Sequence, residues 1–350
     1  MESRTLLALL SNAFGVSGFE DDARSVVRSY VEGYADEIRT DALGNLIATR
    51  RGREGFTLML DAHLDEVGVM ISHVEEDGFL RFMPIGGWDP RVLLAQAVTV
   101  RTRSGAVVRG VIGALPPHLL RPEDREKPVL LDALYIDVAA TSAEVVARRG
   151  IRIGDPAVPG HPCEALGEEW VLGKALDDRA GCAVMIKVLE AVAGEGLDLT
   201  LVCNFAIGEE TGLRGARTAA YQIRPDLALA LEGTVAADTP GVLPQRQPTR
   251  TGGGPALTIA DPTIIVRPHV VRALEQLAER HAIPYQFKRP MSGGTDAGAI
   301  HQSRSGVPTG VVSLPCRYIH SPIGMLRLDD FEHTVRLVTA FVREARGLVG

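Results

Sequence analysis

Apolar positions recur at helical spacing near the start of the chain. Leu6, Leu7 and Leu10 share one side of residues 3–14, and Val26, Val27 and Tyr30 share one side of residues 20–33, which predicts two amphipathic helices. Asp41-Ala42-Leu43-Gly44-Asn45 reads as a turn between two short strands. Phe56-Thr57-Leu58-Met59-Leu60 is almost continuously apolar and fits a strand buried on both faces. The texture then changes. From 67 to 160, short alternating runs such as Val98–Thr102, Ala106–Ile112 and Leu134–Val138 are separated by glycine and proline, the pattern of a small β-rich domain. A charged, proline-bearing loop spans Leu115 to Pro128.

From about Glu164 strands and helices alternate again. The predicted elements are a helix over Asp178–Ala193, a buried strand over Leu199–Ile207, a short strand over Leu227–Leu231, a helix over Pro268–His281, a strand over Val307–Ser313 and a final helix over Asp329–Leu348, opened by an acidic capping pattern from Asp329 to Glu332. This alternation predicts an α/β fold, a central mixed sheet flanked by helices. The chain reads as one discontinuous α/β domain, residues 1–66 and 161–350, with a small β-barrel-like domain, residues 67–160, inserted in it. No internal repeat is visible.

Composition narrows the functional classes. A hydrophobic fraction of 45% over 350 residues supports a well-buried core. A formal charge of -7 with no basic stripe argues against a nucleic-acid surface. No run approaches the ~18 apolar residues of a membrane span. Met1-Glu2-Ser3-Arg4 leads into an amphipathic pattern rather than the apolar core of a signal peptide. Cys163, Cys182, Cys203 and Cys316 lack C-x-x-C spacing and are read as reduced thiols. The expected location is the cytoplasm.

The chemistry lies in five short segments: Ala62-His63-Leu64-Asp65-Glu66, Leu176-Asp177-Asp178-Arg179, Gly208-Glu209-Glu210-Thr211-Gly212, Leu231-Glu232-Gly233-Thr234 and Tyr318-Ile319-His320-Ser321-Pro322. Four of them follow apolar runs with strand character, and the carboxyl ends of strands are where ligands gather in open α/β sheets. Together they hold the inventory of a binuclear metal site: a histidine and a terminal carboxylate for each ion, a bridging carboxylate and a spare carboxylate as base. Asp65 could take the other ring nitrogen of His63. Two acids in succession exceed what capping of the following helix needs, and Asp177 is the candidate bridging ligand. Adjacent acids at Glu209 and Glu210 repel unless cations balance them. Consecutive side chains diverge, so one can bind metal while the other faces the substrate as a base. Glu232 ends Leu-Ala-Leu-Ala-Leu, an expensive place for an unpaired carboxylate. His320 lies in a loop held by Pro322. His118 reads as a surface histidine, Gly293-Gly294-Thr295-Asp296 as a glycine turn with a helix cap, and Gly252-Gly253-Gly254 lacks the lysine and helix of a phosphate loop.

In this order the segments resemble the tetrahedral-particle (TET) aminopeptidases, di-metal peptidases grouped with glutamyl aminopeptidases and endoglucanase-like proteins. The resemblance is carried by Ala62–Gly68, Gly173–Arg179, Glu209–Ala216, Asp238–Gly241, Gly294–Ala297 and Ile319–Pro322, and runs nearly full length. It implies a metallo-exopeptidase fold with two divalent ions, zinc or cobalt. His63, Asp177 and Glu232 would hold one ion, and Asp177, Glu210 and His320 the other. Glu209 would be the general base, with Asp65 supporting His63. The inserted domain would serve dimerisation, dimers would build a hollow dodecamer, and the substrates would be peptides with a free N-terminus. The chain departs from the family at Glu232, often aspartate, and at Gly253, often lysine. The ligand set by itself also suits a deacylase or other amidohydrolase acting on acylated small molecules, and the fold alone a non-catalytic assembly protein. It gives no reason to expect a glycosidase, which uses a carboxylate pair without metal.

Overall fold

The computed structural model describes residues 2–53, 55–289 and 293–349. The first two helices are α1 (Ser3–Asn12) and α2 (Asp21–Val31). The strands are β1 (Glu37–Thr40), β2 (Leu46–Arg50), β3 (Thr57–His63), β4 (Gly68–Val74), β5 (Leu80–Ile85), β6 (Ala97–Arg101), β7 (Val107–Gly113), β8 (Tyr135–Asp137), β9 (Pro156–Pro159), β10 (Glu164–Leu166), β11 (Trp170–Gly173), β12 (Thr200–Ala206), β13 (Leu227–Val235), β14 (Ala256–Thr258), β15 (Gln286–Lys288), β16 (Thr309–Arg317) and β17 (Gly324–Arg327). The remaining helices are α3 (Ala143–Arg148), α4 (Leu176–Ala191), α5 (Arg214–Ile223), α6 (Pro268–Arg280), α7 (Ala297–Ile300) and α8 (Leu328–Val349).

Two sheets result. The large one runs β1-β2-β12-β3-β13-β16-β17-β11-β10, with β14 and β15 beside β16. Its centre, β12-β3-β13-β16, is parallel, and the flanks are antiparallel. The other closes as an antiparallel barrel, β4-β5-β8-β7-β6-β9.

The apolar run of β3 is explained by burial on both faces. Leu58, Leu60 and Ala62 join the core formed with α1, α2, α4, α6 and α8, while Met59 points to the opposite core, where Ala216, Ala219 and Ala220 of α5 and Ile300 of α7 pack. Period-two alternation puts Asp61 and His63 on the Met59 side. The barrel has its own core, including Val69, Ile71, Leu80, Val98, Val100, Ile112 and Ile136. A seam of Phe14, Val16, Ile85 and Val158 joins it to the main body.

Several elements differ from expectation. The strand at 227 continues to Val235, so Glu232 lies inside it rather than after it. Pairing with β16 carries the strand on: Glu232 aligns with Ser313 and Val235 with Cys316. Likewise β16 extends to Arg317, and His63 is the last residue of β3. Helix α4 starts at Leu176, but Asp177 and Asp178 have non-helical φ and ψ and a cis peptide bond between them. Asp330, expected as a cap, instead accepts from the Gly252 and Gly254 N–H groups at 2.7 and 2.8 Å. The loop from 115 to 128 contains two short 3-10 turns, Pro117–Leu119 and Pro122–Asp124.

A buried ionic cluster ties α1 to the strand ends. Glu66 accepts from Lys174 Nζ at 2.7 Å on each carboxylate oxygen and lies 3.5 Å from Arg179 Nη2. Arg179, fully buried, also donates to the carbonyls of Leu64, Leu10 and Ala13. Burial pulls the Lys174 pKa down, opposed by the Glu66 carboxylate. Breaking a buried pair leaves an uncompensated charge, so Glu66→Ala should cost about 3–5 kcal/mol, read from the urea unfolding midpoint. Wild-type stability in that variant would show that Glu66 does not balance these cations.

Candidate metal centre

The parallel strands deliver the predicted residues to one edge of the sheet. His63 ends β3, Glu209 and Glu210 follow β12, Glu232 lies near the end of β13 and His320 follows β16. Asp177 arrives from the turn into α4. All of the predicted site residues meet here.

Distances separate the group into two halves around Asp177. His63 Nε2 lies 3.6 Å from Asp177 Oδ1 and 3.4 Å from Glu232 Oε1. His320 Nε2 lies 3.5 Å from Asp177 Oδ2 and 3.2 Å from Glu210 Oε1. One carboxylate thus offers a different oxygen to each imidazole. Glu209 Oε2 is farther out, 3.9 Å from His63 Nε2. His63 Nε2 and Asp177 Oδ1 are buried without a hydrogen-bond partner among the described residues. Unpaired buried polar atoms are costly, and paired imidazoles and carboxylates of this kind suit divalent ions. The donor set therefore fits divalent metal binding.

Grouping by distance alone also places Asp178 with His63 and Glu232, and Glu209 with His63 and Glu210. Asp178 is committed elsewhere. Its Oδ2 accepts from the His63 N–H at 3.2 Å and its Oδ1 from the Gly181 N–H at 3.1 Å. Burial and the Glu232 charge push its pKa well up, which favours a neutral carboxyl.

Asp65 does more than support an imidazole. It is completely buried, and its carboxylate accepts from Ser17 Oγ at 2.6 Å, from the Glu209 N–H at 3.0 Å and from the Glu210 N–H at 3.1 Å. His63 Nδ1 lies 3.1 Å from the Asp65 carbonyl oxygen and 3.4 Å from its Oδ1. One side chain therefore fixes both the ring and the backbone of the adjacent acids.

The electrostatics agree with the geometry. Burial disfavours charged His63, but the carboxylates of Asp177, Asp65 and Glu232 outweigh it and hold the pKa well above its ordinary value. For His320, burial is likewise outweighed by Asp177 and Glu210, raising the pKa to about 11. Burial would raise Asp177, yet the two histidines hold it below its ordinary value. Burial pushes Glu232 up to about 7. Glu209 is pushed well up by burial and by the Glu232 charge.

Sequence reasoning missed a carboxyl pair behind the centre. Asp296 was expected to cap a helix, but it makes no side-chain cap bond to α7 and both its oxygens are buried without a partner among the described residues. Burial and the nearby Asp61 charge push it well up, and burial brings Asp61 to about 6. Asn204 donates to Asp61 at 2.6 Å. An acid two residues before His63 on the same face of β3 was the available signal. A side chain at Gly253 would meet Gln286 Nε2 at 2.5 Å, so this glycine leaves room for that amide, and His118 stays in its solvent-facing turn.

The M42 glutamyl aminopeptidase family profile matches residues 44–337. The chain belongs to that family. It is a peptide hydrolase of the aminopeptidase class. It is 34% identical to the lysyl aminopeptidase of Pyrococcus furiosus, over 95% of this chain and 94% of that protein. It is 33% identical to the glutamyl aminopeptidase of Lactococcus lactis subsp. cremoris, over 98% and 96%. Among solved structures, it superposes on aminopeptidase APDkam598 from the archaeon Desulfurococcus kamchatkensis with a TM-score of 0.95 at 41% identity, covering 99% and 98% of the two chains. The Pyrococcus horikoshii TET1 peptidase, which can assemble into a tetrahedron or a large octahedral shell, gives 0.87 at 30% identity, over 98% and 100%. M42 enzymes are metal-dependent, in agreement with this donor set.

The carboxylates around both imidazoles favour their protonated form in the metal-free protein, and each must lose its proton to ligate. Cation binding should therefore release protons, and the apparent affinity should weaken as pH falls. Calorimetric titration with zinc or cobalt in buffers of different ionisation enthalpy measures this. Binding without proton release would count against ligation by His63 and His320.

Proposed function

We propose that this protein is a binuclear metallo-aminopeptidase that removes residues from the free amino end of peptides. The observation that carries the reading is the division of Asp177 between His63 and His320, with buried, partnerless atoms at the junction. His63, Asp177 and Glu232 would hold one ion, and Asp177, Glu210 and His320 the other, with zinc or cobalt as the ions. When bound, such ions would supply Lewis acidity toward a carbonyl and lower the pKa of a water at the site.

The protein's own groups then manage position and protons. Asp65 keeps His63 oriented and holds the Glu209-Glu210 backbone in place. Glu209 is the spare carboxylate, farthest from the imidazoles, and acts as the base that takes the proton of the attacking water and returns it to the leaving amine. Burial raises its pKa, which suits a group that must both accept and release a proton near neutral pH. The site opens into a cleft of about 500 Å³ between Glu232 and the 293–295 turn, enough for the first residue of a peptide.

Glu209→Gln should keep its metal and lose about 10²–10⁴-fold in turnover of aminoacyl anilides. Near-wild-type turnover would remove Glu209 from the role. The same assay with N-acetylated substrates separates aminopeptidase from deacylase, since faster cleavage of the acylated series would favour the latter.

Self-association through the barrel, with dimers building a dodecamer, is part of the same proposal. Apolar side chains exposed on the inserted segment support it: Met83, Val107, Leu115, Leu119, Leu130 and Ile153. Light scattering should report a multi-subunit particle, and Leu119→Asp with Leu130→Asp should shift it to smaller species. A monomeric wild type would refute the assembly. We also place the protein in the cytoplasm, on the support of four unpaired thiols. Among the described residues no helix is long and apolar enough to cross a membrane.

A further inference from the structure

Three stems that carry ligand residues converge on one guanidinium. Arg317 is the last residue of β16, three positions before His320. Its Nε and Nη2 donate to the two carboxylate oxygens of Asp238 at 3.1 and 2.8 Å, the bidentate form of this ion pair. Asp238 lies three positions after the end of β13, the strand that holds Glu232. Its Oδ2 also accepts from the Thr251 N–H at 3.3 Å and from Thr251 Oγ1 at 2.7 Å. The Arg317 guanidinium stands 5.0 Å from the ring centroid of Trp170, within cation–π range. Trp170 opens β11, the strand that leads to Asp177. Burial opposes ionisation of Asp238, but Arg317 and Thr251 outweigh it and hold its pKa below the ordinary value.

The two imidazoles of the metal centre are held in different ways. His63 belongs to β3, and its Nδ1 lies 3.1 Å from the Asp65 carbonyl oxygen. His320 stands beyond the last ladder contact, since β16 pairs with β13 as far as Cys316 and with β17 as far as Arg317. Tyr318 and His320 both take left-handed backbone conformations, with φ of 63° and 54°. Among the described residues no hydrogen bond reaches His320 Nδ1, the place where a metal-binding histidine usually finds its orienting partner. The direction of its ring therefore depends on where the loop is rooted, and the root is Arg317. Glu232, by contrast, sits inside β13 and is fixed in register with Ser313.

We infer that Asp238 and Arg317 are a pair of positioning residues for the His320 half of the metal centre. They pin the root of the His320 loop to the exit of β13 and to the start of β11, so that His320 Nε2 meets Asp177 and Glu210. This rests on the two-ion reading of the site and deepens it. Neither residue is a ligand, and each acts through the backbone. Without the fork the loop root drifts and His320 loses its alignment with Asp177 Oδ2, while His63, Asp65 and Glu232 keep theirs. The cost falls on one ion alone.

Cobalt titration of the metal-free protein, followed by calorimetry and visible absorption, tests this with Asp238→Asn and Arg317→Met beside wild type. In each variant one of two equivalents should bind roughly ten- to hundredfold more weakly and the other as in wild type, with circular dichroism unchanged. Turnover of an aminoacyl anilide should fall at limiting cobalt and return as cobalt is raised, a rescue that general loss of structure would not allow. The double variant should be no worse than the poorer single one, because the two side chains act as a unit. Arg317→Lys keeps the charge but not the fork, and should fall between wild type and Arg317→Met. Two equivalents of wild-type affinity in either single variant would overturn the inference alone. So would equal weakening of both equivalents, additive losses in the double variant, or failure of both single variants to fold, since each would make the pair a support for the fold at large. Fewer than two equivalents in wild type would overturn the two-ion reading and this inference with it.

Discussion

Buried negative charge is the constraint on which this architecture turns. Asp61, Asp65, Asp177, Asp178, Glu209, Glu210, Glu232 and Asp296 converge at one edge of a sheet, with His63 and His320 as the imidazoles among them. Carboxylates in a low-dielectric setting cannot all ionise without cations. The protein meets this in graded fashion. Asp178 and Asp296 are pushed toward the neutral form, Asp65 is stabilised by the imidazole, a hydroxyl and two backbone amides, and Asp177 is held ionised between two imidazoles. The carboxylates left facing the histidines are those to which a divalent ion offers most.

The fold supplies the rigidity this needs. Four parallel strands buried on both faces end together, so residues spread from position 63 to position 320 are presented from one surface. Backbone amides then do the fine placement. The bonds from Glu209 and Glu210 to Asp65 hold adjacent side chains apart, one toward His320 and the other toward the cleft. The Glu66, Lys174 and Arg179 cluster performs the same service from the other side, fixing the approach to Asp177.

Much of this was legible in the sequence because its signals are local and periodic. The apolar runs of β3 and β12 end in charged residues, and a doubly buried strand followed by acids has few other readings. The barrel showed itself through alternation and glycine punctuation. Other parts had no local signal. Strands of three residues, such as β10, β14 and β15, are too short to display a period. Glu232 reads as a strand terminus because the pattern Leu-Ala-Leu-Ala-Leu stops there, whereas pairing with β16 carries the strand onward. Asp296 follows a glycine turn and precedes a helix, which is how a cap looks. Only the third dimension puts Asp61 beside it.

The barrel leaves and rejoins the main chain beside the reactive edge. It begins at Gly68, shortly after His63, and its last strand ends at Pro159, before the hairpin that leads to Lys174 and Asp177. Trp88 of the inserted segment donates to the Gly68 carbonyl at 2.8 Å, and a side chain at Gly87 would approach His320 Nδ1 to 3.2 Å. Both stems of the insertion therefore lead into the ligand segments. Under the association through the barrel proposed above, a displacement of the barrel would be carried into these two stems, and such coupling is reciprocal. An occupied cleft would then bias the packing of neighbours by the same free energy with which neighbours bias the cleft.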